Sequence, residues 1–307
     1  MRYVVGYSAN ARGHDAVNLA VSMALGRGAS LDLVLVVPEV QQFGAAHAPR
    51  AGFEHLLNEQ AQEWLDQALA LIPPGVPAKA HVRSGDSDAH ALIQAAEEFG
   101  ADMLIIGATS NGIFKRFSIG SVASALLHAS TVPVALAPHG YHRQEALTRI
   151  SCGLGNRAGA EKLLDFALGM AANREVPLRV VSLLAIDGGD AADAAEAAEA
   201  ARAYAAKHLA AALPGGGQGV REEAKAEVAI AQGRSIEEAV DRLDWEDGEV
   251  LLIGSSRLAT SHSIFLGSTA NRILRALPVP MIVVPSDYEL KHPNRPASND
   301  FTREAQK

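Results

Sequence analysis

The 307-residue chain is short of several things, and each shortage excludes a class of protein. It has one cysteine, Cys152, so no disulfide can form within it. That usage suits a reducing cytosol. Cys152 falls in an expected buried strand and reads as an inert core thiol. No run is apolar enough to cross a bilayer, so no membrane partner is expected. No basic region precedes a long apolar core, because Met1-Arg2 leads straight into Tyr3-Val4-Val5. A secretory signal is therefore not expected, and a cytoplasmic location is. Excess positive charge is also missing. Residues 1–148 carry 9 Lys/Arg and 13 Asp/Glu, and the remainder 18 and 22, giving −4 for each half and −8 in total. A nucleic-acid partner is disfavoured on that balance. Lys115-Arg116 is a local exception, read as a solvated turn or as a pair that attracts phosphate.

Catalytic signatures are missing too. The chain has no G-x-S-x-G, no H-E-x-x-H, no paired-cysteine motif and no G-x-x-x-x-G-K-[ST]. Its eleven histidines are scattered, and His139-x-x-His142 reads as solvated rather than metal-binding. The expectation is no catalytic residue, no metal site and no turnover enzyme.

What is present is a repeat. Residues 107–138 read G-A-T-S-N-G-I-F-K-R-F-S-I-G-S-V-A-S-A-L-L-H-A-S-T-V-P-V-A-L-A-P. Met103-Leu104-Ile105-Ile106, just before, reads as a buried strand, and Gly107 lets the chain turn off it. Gly120 and Ser121 open a helix whose first backbone N–H groups lie at the positive end of its dipole. Such a start is a ready site for phosphate. The stretch recurs at residues 254–285. Adding 147 carries Gly107 to Gly254, Gly120 to Gly267, Ser121 to Ser268, Pro133 to Pro280, and Gly6 to Gly153. A fixed offset of domain size means two tandem copies of one unit. The length and a hydrophobic content of 48% suit two cores.

The pattern resembles the universal stress protein family, over roughly residues 1–285. The family's nucleotide loop reads Gly, two residues, Gly, nine residues, Gly, then Ser or Thr. Gly107, Gly120 and Ser121 match it, with Ser110 at the second glycine. The family's first strand ends in an Asp-Gly-Ser-like turn; here Ser8-Ala9-Asn10 and Gly155-Asn156-Arg157 stand there, so both copies lack the acid. The resemblance implies an adenine nucleotide, ATP with Mg²⁺, at Ser8, Val37, Gly85, Gly107, Ser110, Gly112, Gly120 and Ser121. Val37 and Gly85 would line the adenine side, and Gly120 and Ser121 would hold phosphate. A degenerate second site would comprise Gly155, Gly254, Arg257, Gly267 and Ser268. Arg257 replaces the second glycine there, as an obstruction or as a cation for phosphate.

Within each copy, apolar runs and helical periodicities alternate. Copy one gives strands near residues 3–6, 31–37, 78–83, 102–106 and 133–137. Helical spacing runs through 16–24, 53–69, 88–99 and from Gly120. The fold class is α/β: two tandem doubly wound parallel-sheet domains, five strands and four helices each. The resemblance implies strand order 3-2-1-4-5 and the adenine nucleotide alpha hydrolase-like type. The expected division is domain one over 1–139, a linker over 140–148, domain two over 149–287, and a polar, disordered tail over 288–307. Gly153-Leu154-Gly155-Asn156-Arg157-Ala158 also matches a dinucleotide fingerprint. Its acid, Asp187, stands too far downstream, so a tight structural turn is the better reading.

The resemblance makes the chain a cytosolic regulatory or protective stress module with domain one the better nucleotide site. A structural or interaction protein with both sites degenerate stays open, and a slow ATPase is a third reading. The two fifth strands are expected to pair within one chain and so cover their edges. A dimer of such chains is the higher assembly to expect.

Overall fold

The computed structural model describes residues 1–38, 50–110, 117–118, 120–155, 159–186, 191–213, 226–255, 267–286 and 288, with backbone alone for 50–54, 109–110, 117–118 and 191. Copy one runs β1 (Arg2–Tyr7), α1 (Ala11–Ala24), β2 (Ser30–Pro38), α2 (Arg50–Ala70), β3 (Ala78–Gly85), α3 (Asp88–Glu98) and β4 (Met103–Gly107). A small hairpin, β5 (Thr109–Ser110) with β6 (Phe117–Ser118), then precedes α4 (Ser121–Ala129) and β7 (Val134–Ala137). Copy two repeats the order as β8 (Arg149–Gly153), α5 (Ala160–Arg174), β9 (Leu178–Ala185), α6 (Ala191–Ala212) and β10 (Ala226–Gly233). It ends with α7 (Ile236–Asp241), β11 (Glu249–Gly254), α8 (Ser268–Ala276) and β12 (Met281–Val284).

Local chemistry sets these boundaries. β2 is Ser-Leu-Asp-Leu-Val-Leu-Val-Val-Pro, buried along most of its length and closed by a proline that has no N–H for a ladder. α1 starts at Asn10, whose side chain accepts from the backbone N–H of Arg12 and Gly13. α3 starts at Ser87, whose hydroxyl accepts from the N–H of His90. α5 ends at Glu175 in the left-handed region, at φ 55°.

Ten strands form one sheet, in the order β10-β9-β8-β11-β12-β7-β4-β1-β2-β3. Within copy one this is the order 3-2-1-4-5, and in this sheet every pairing inside a copy is parallel. The two copies meet at β7 and β12, which pair antiparallel with Ala135 opposite Ile282. Those two residues are also equivalents under the 147 offset, so a pseudo-twofold axis passes between them. Helices cover both faces. One core holds α1, α2, α5 and α6 against the sheet, and the other holds α3, α4, α7 and α8.

The segment between copies is stitched down. The Asn18 amide donates to the Tyr141 carbonyl at 2.8 Å, Ser22 Oγ donates to the Arg143 carbonyl at 2.8 Å, and the Gly140 N–H donates to Asp15 at 3.0 Å. The expected tail also needs correcting at its start. Tyr288 meets Phe166 edge-on, with ring centroids 5.8 Å apart, and its hydroxyl donates to the Asp102 carbonyl at 2.9 Å. An aromatic ring between the copies finds apolar partners that a polar tail would not, so residue 288 belongs to the packed body. Residues 289–307 lie outside the described residues.

Candidate functional site

The carboxyl ends of β1 and β4 lie side by side where the strand order reverses. In such sheets the crevice outside that point takes ligands. Here it is a cleft of about 300 Å³. The β1–α1 turn supplies Ser8 and Ala9, the first turn of α1 supplies Arg12, β2 supplies Val34 to Val36, and the start of α4 supplies Gly120 and Ser121. Trp64 of α2, Asp88 and Leu92 of α3, and Gly107 complete the wall.

Three helix starts converge on this cleft, and they differ. α1 is closed by Asn10, and Ser8 Oγ donates to the same Asn10 Oδ1 at 3.0 Å. α3 is closed by Ser87. The start of α4 at Gly120, with φ −69° and ψ 168°, has no side-chain cap. Among the described residues its first N–H groups have no side-chain partner, and they lie at the positive end of the dipole, where an anion binds. The turn around it is tight. A Cβ at Gly107 would sit 2.0 Å from the Arg12 carbonyl oxygen, and one at Gly13 would sit 1.8 Å from the Ser8 carbonyl oxygen.

Of the residues expected at this site, Ser8, Gly107, Gly120 and Ser121 line the cleft. Val37 does not; it is buried in the core, and the three residues before it form the wall instead. Gly85 closes β3 and is not part of the wall. The side chain of Ser110 and the whole of Gly112 lie outside the described residues, as do Lys115 and Arg116. Arg12, Trp64 and Asp88 were not singled out from sequence. Trp64 reads there as one apolar position of an amphipathic helix, and nothing marks a lone arginine or aspartate at a helix start as facing a cleft.

Copy two has a smaller cleft, of about 110 Å³, where β8 and β11 end. Gly155, Gly254 and Gly267 line it, together with Lys162, Ser286 and Tyr288. Ser268 opens α8 but is not in the wall, and Arg257 lies outside the described residues. The start of α8 at Gly267 is likewise uncapped.

Burial pushes the Cys152 thiol up to about 12, where it is inert at neutral pH. His139 sits 3.7 Å from Asp15, and His142 Nδ1 is 3.1 Å from the Gly140 carbonyl. Among the described residues no group of three His, Cys, Asp or Glu side chains is arranged to hold a metal ion. No helix among them is long and apolar enough to cross a membrane.

A doubly wound parallel sheet, helices on both faces and a cleft at its switch point define a protein of the α/β class. The model of the universal stress protein family matches residues 1–138 and again 147–285, and the chain belongs to that family as a tandem member. A universal stress protein of Mycobacterium tuberculosis H37Rv is 32% identical over 298 residues, spanning 93% of this chain and 100% of the relative. One from Mycolicibacterium smegmatis is 25% identical over 292 residues, spanning 92% of this chain and 96% of that one. Among solved structures, a universal stress protein from Archaeoglobus fulgidus DSM 4304 superposes with a TM-score of 0.62 at 18% identity, covering 92% of this chain and 98% of its own. At that identity the likeness concerns the fold.

Proposed function

We propose that the chain is a cytosolic regulatory or protective stress-response module that binds an adenine nucleotide in the cleft of copy one. The observation that carries this reading is the open start of α4 facing that cleft, at Gly120 and Ser121. Phosphate would be held by the backbone N–H groups there and by the Ser121 hydroxyl. ATP accompanied by Mg²⁺ is the ligand to test first. The larger volume, about 300 against about 110 Å³, makes copy one the better site. Regulation rather than turnover is the proposed role, since among the described residues no nucleophile with a neighbouring base lines the cleft. The pairing of β7 with β12 covers both fifth-strand edges inside one chain and leaves β3 and β10 as the ends of the sheet. A dimer of chains would form elsewhere than at the fifth strands.

Calorimetric titration of the full chain with ATP tests the proposal, with one ATP per chain expected. Gly120→Asp adds bulk and negative charge where phosphate would sit, and should abolish binding. Unchanged affinity in that variant, with the fold intact, would remove the assignment. A wild-type chain that takes no nucleotide would leave the interaction-protein reading. Phosphate release above the blank would indicate a slow ATPase.

A further inference from the structure

The two copies keep the same backbone around their clefts but not the same side chains. α1 and α5 match at the 147 offset, since buried Leu19, Ala20 and Met23 fall on buried Phe166, Ala167 and Met170. Arg12 then corresponds to Gly159. In α2 and α6 the buried pair Ala61 and Leu65 falls on Ala205 and Leu209, an offset of 144. Trp64 then corresponds to His208, whose ring lies tilted against Tyr204, with centroids 4.2 Å apart, and 3.7 Å from Glu161, outside the wall of cleft two. β3 and β10 each end in glycine, Gly85 and Gly233, and the capping serines Ser87 and Ser235 follow at the same spacing. Asp88 then corresponds to Ile236, a buried apolar residue. Copy one thus places a cation, an indole and a carboxylate on its cleft, and copy two has none of them at the equivalent positions.

All three line one cleft. The Arg12 backbone packs against Gly107, and Arg12 lines the cleft together with Gly120 and Ser121. Trp64 and Asp88 come from the helices on either side of β2, with Val34 to Val36 between them. Neither the Arg12 guanidinium nor the Asp88 carboxylate has a hydrogen-bond or ion-pair partner among the described residues. Both are exposed, so neither was placed there by core packing.

We propose that these three side chains set the specificity of cleft one: Arg12 neutralises phosphate, Trp64 covers a flat base, and Asp88 accepts a hydrogen bond from an amino group on that base. The inference rests on the nucleotide reading above and narrows it. Guanidinium is well suited to phosphate, which it meets with two parallel N–H donors. Stacking on an indole is tolerant of base identity, so it does not select. Selection therefore falls to Asp88. Adenine offers a 6-amino donor, whereas hypoxanthine offers a carbonyl oxygen at the same position, which a carboxylate repels.

The full chain is titrated with ATP, ITP and adenosine, together with Arg12→Ala and Asp88→Asn, after melting curves establish that both variants fold. Loss of a charge-assisted contact should weaken ATP by roughly tenfold to a hundredfold in Arg12→Ala. Adenosine, which has no phosphate, should bind that variant as it binds the wild type. The wild type should favour ATP over ITP by roughly tenfold, and Asp88→Asn should bring the two close together, since an amide can meet either group. Equal ATP affinity in Arg12→Ala would overturn the arginine's role. Equal ATP and ITP affinity in the wild type would overturn the aspartate's. A wild type that binds none of the three ligands would instead overturn the nucleotide reading itself, and the specificity with it.

Discussion

A glycine in a phosphate-type loop can be glycine for the ligand or for the fold. Gly107 and Gly254 occupy the same place in the two copies, yet the chain around them differs. A Cβ at Gly107 would collide with the Arg12 carbonyl oxygen at 2.0 Å, while one at Gly254 would make ordinary contact with a Leu163 methyl at 3.7 Å. Backbone cannot step aside as a side-chain tip can. Gly107→Ala should therefore destabilise by about 1–3 kcal/mol, the usual cost of overpacking. Gly254→Ala should stay within about 0.5 kcal/mol. Chemical denaturation of the two variants checks this, and equal losses would show that the β1–α1 turn yields more easily than its packing suggests.

Charge inside strands was the least legible feature. At the end of the sheet away from the clefts, copy one pairs Arg2 with Asp32 at 2.5 and 3.0 Å, and His81 lies 2.8 Å from the same carboxylate. Copy two puts a second arginine at the place of Asp32. Arg149 and Arg179 both donate to Glu249, at 2.7 and 2.5 Å, and Glu249 is fully buried. Sequence periodicity reads only apolar and polar positions, so it cannot say that these charges close a buried network. The apolar strands, the helix starts and the 147 offset were legible, because each follows from local composition. Arg12, Trp64 and Asp88 were not, because what unites them is the crossing of three helices over one cleft. Val37 lies just beyond the stretch of β2, Val34 to Val36, that lines the cleft, and the apolar pattern of the strand does not distinguish them.

The network of copy one carries a pH dependence. Burial opposes the Asp32 charge, but hydrogen bonds and charge from Arg2 and His81 outweigh it and hold the carboxyl below its ordinary value. A depressed acid contributes stability that is present above its unfolded pKa and is lost as pH falls through the folded one. Melting temperature should therefore drop faster below pH 4 or so in the wild type than in Asp32→Asn, whose deficit should be largest near neutrality. Parallel acid profiles for the two proteins would mean that Arg2 and His81 contribute nothing through Asp32.

The molecule as a whole is one sheet built from two copies, and its middle is only four residues wide on each side. β7 is Val134–Ala137 and β12 is Met281–Val284. Val134 stands opposite Val283 and Leu136 opposite Met281, and all four are buried in the same core. The axis through Ala135 and Ile282 relates Val134 to Met281, so a change at both strikes the seam symmetrically. Glutamate at both positions would bring two like charges into an apolar layer with no cation from β7 or β12 to meet them. Each isolated buried charge costs several kcal/mol even after relaxation, or protonates. For a chain of this size that should lower the melting temperature by roughly ten degrees or more. If this seam dominates the contact between the halves, over the core shared by α1 and α5 and the packing of Tyr288, the double variant should also show a larger hydrodynamic radius as they part. Lys79→Glu, at an exposed position on the outer strand β3, serves as the control and should change neither quantity. An unchanged radius and melting point in the double variant would mean that the antiparallel β7–β12 pairing does not hold the two copies together in solution.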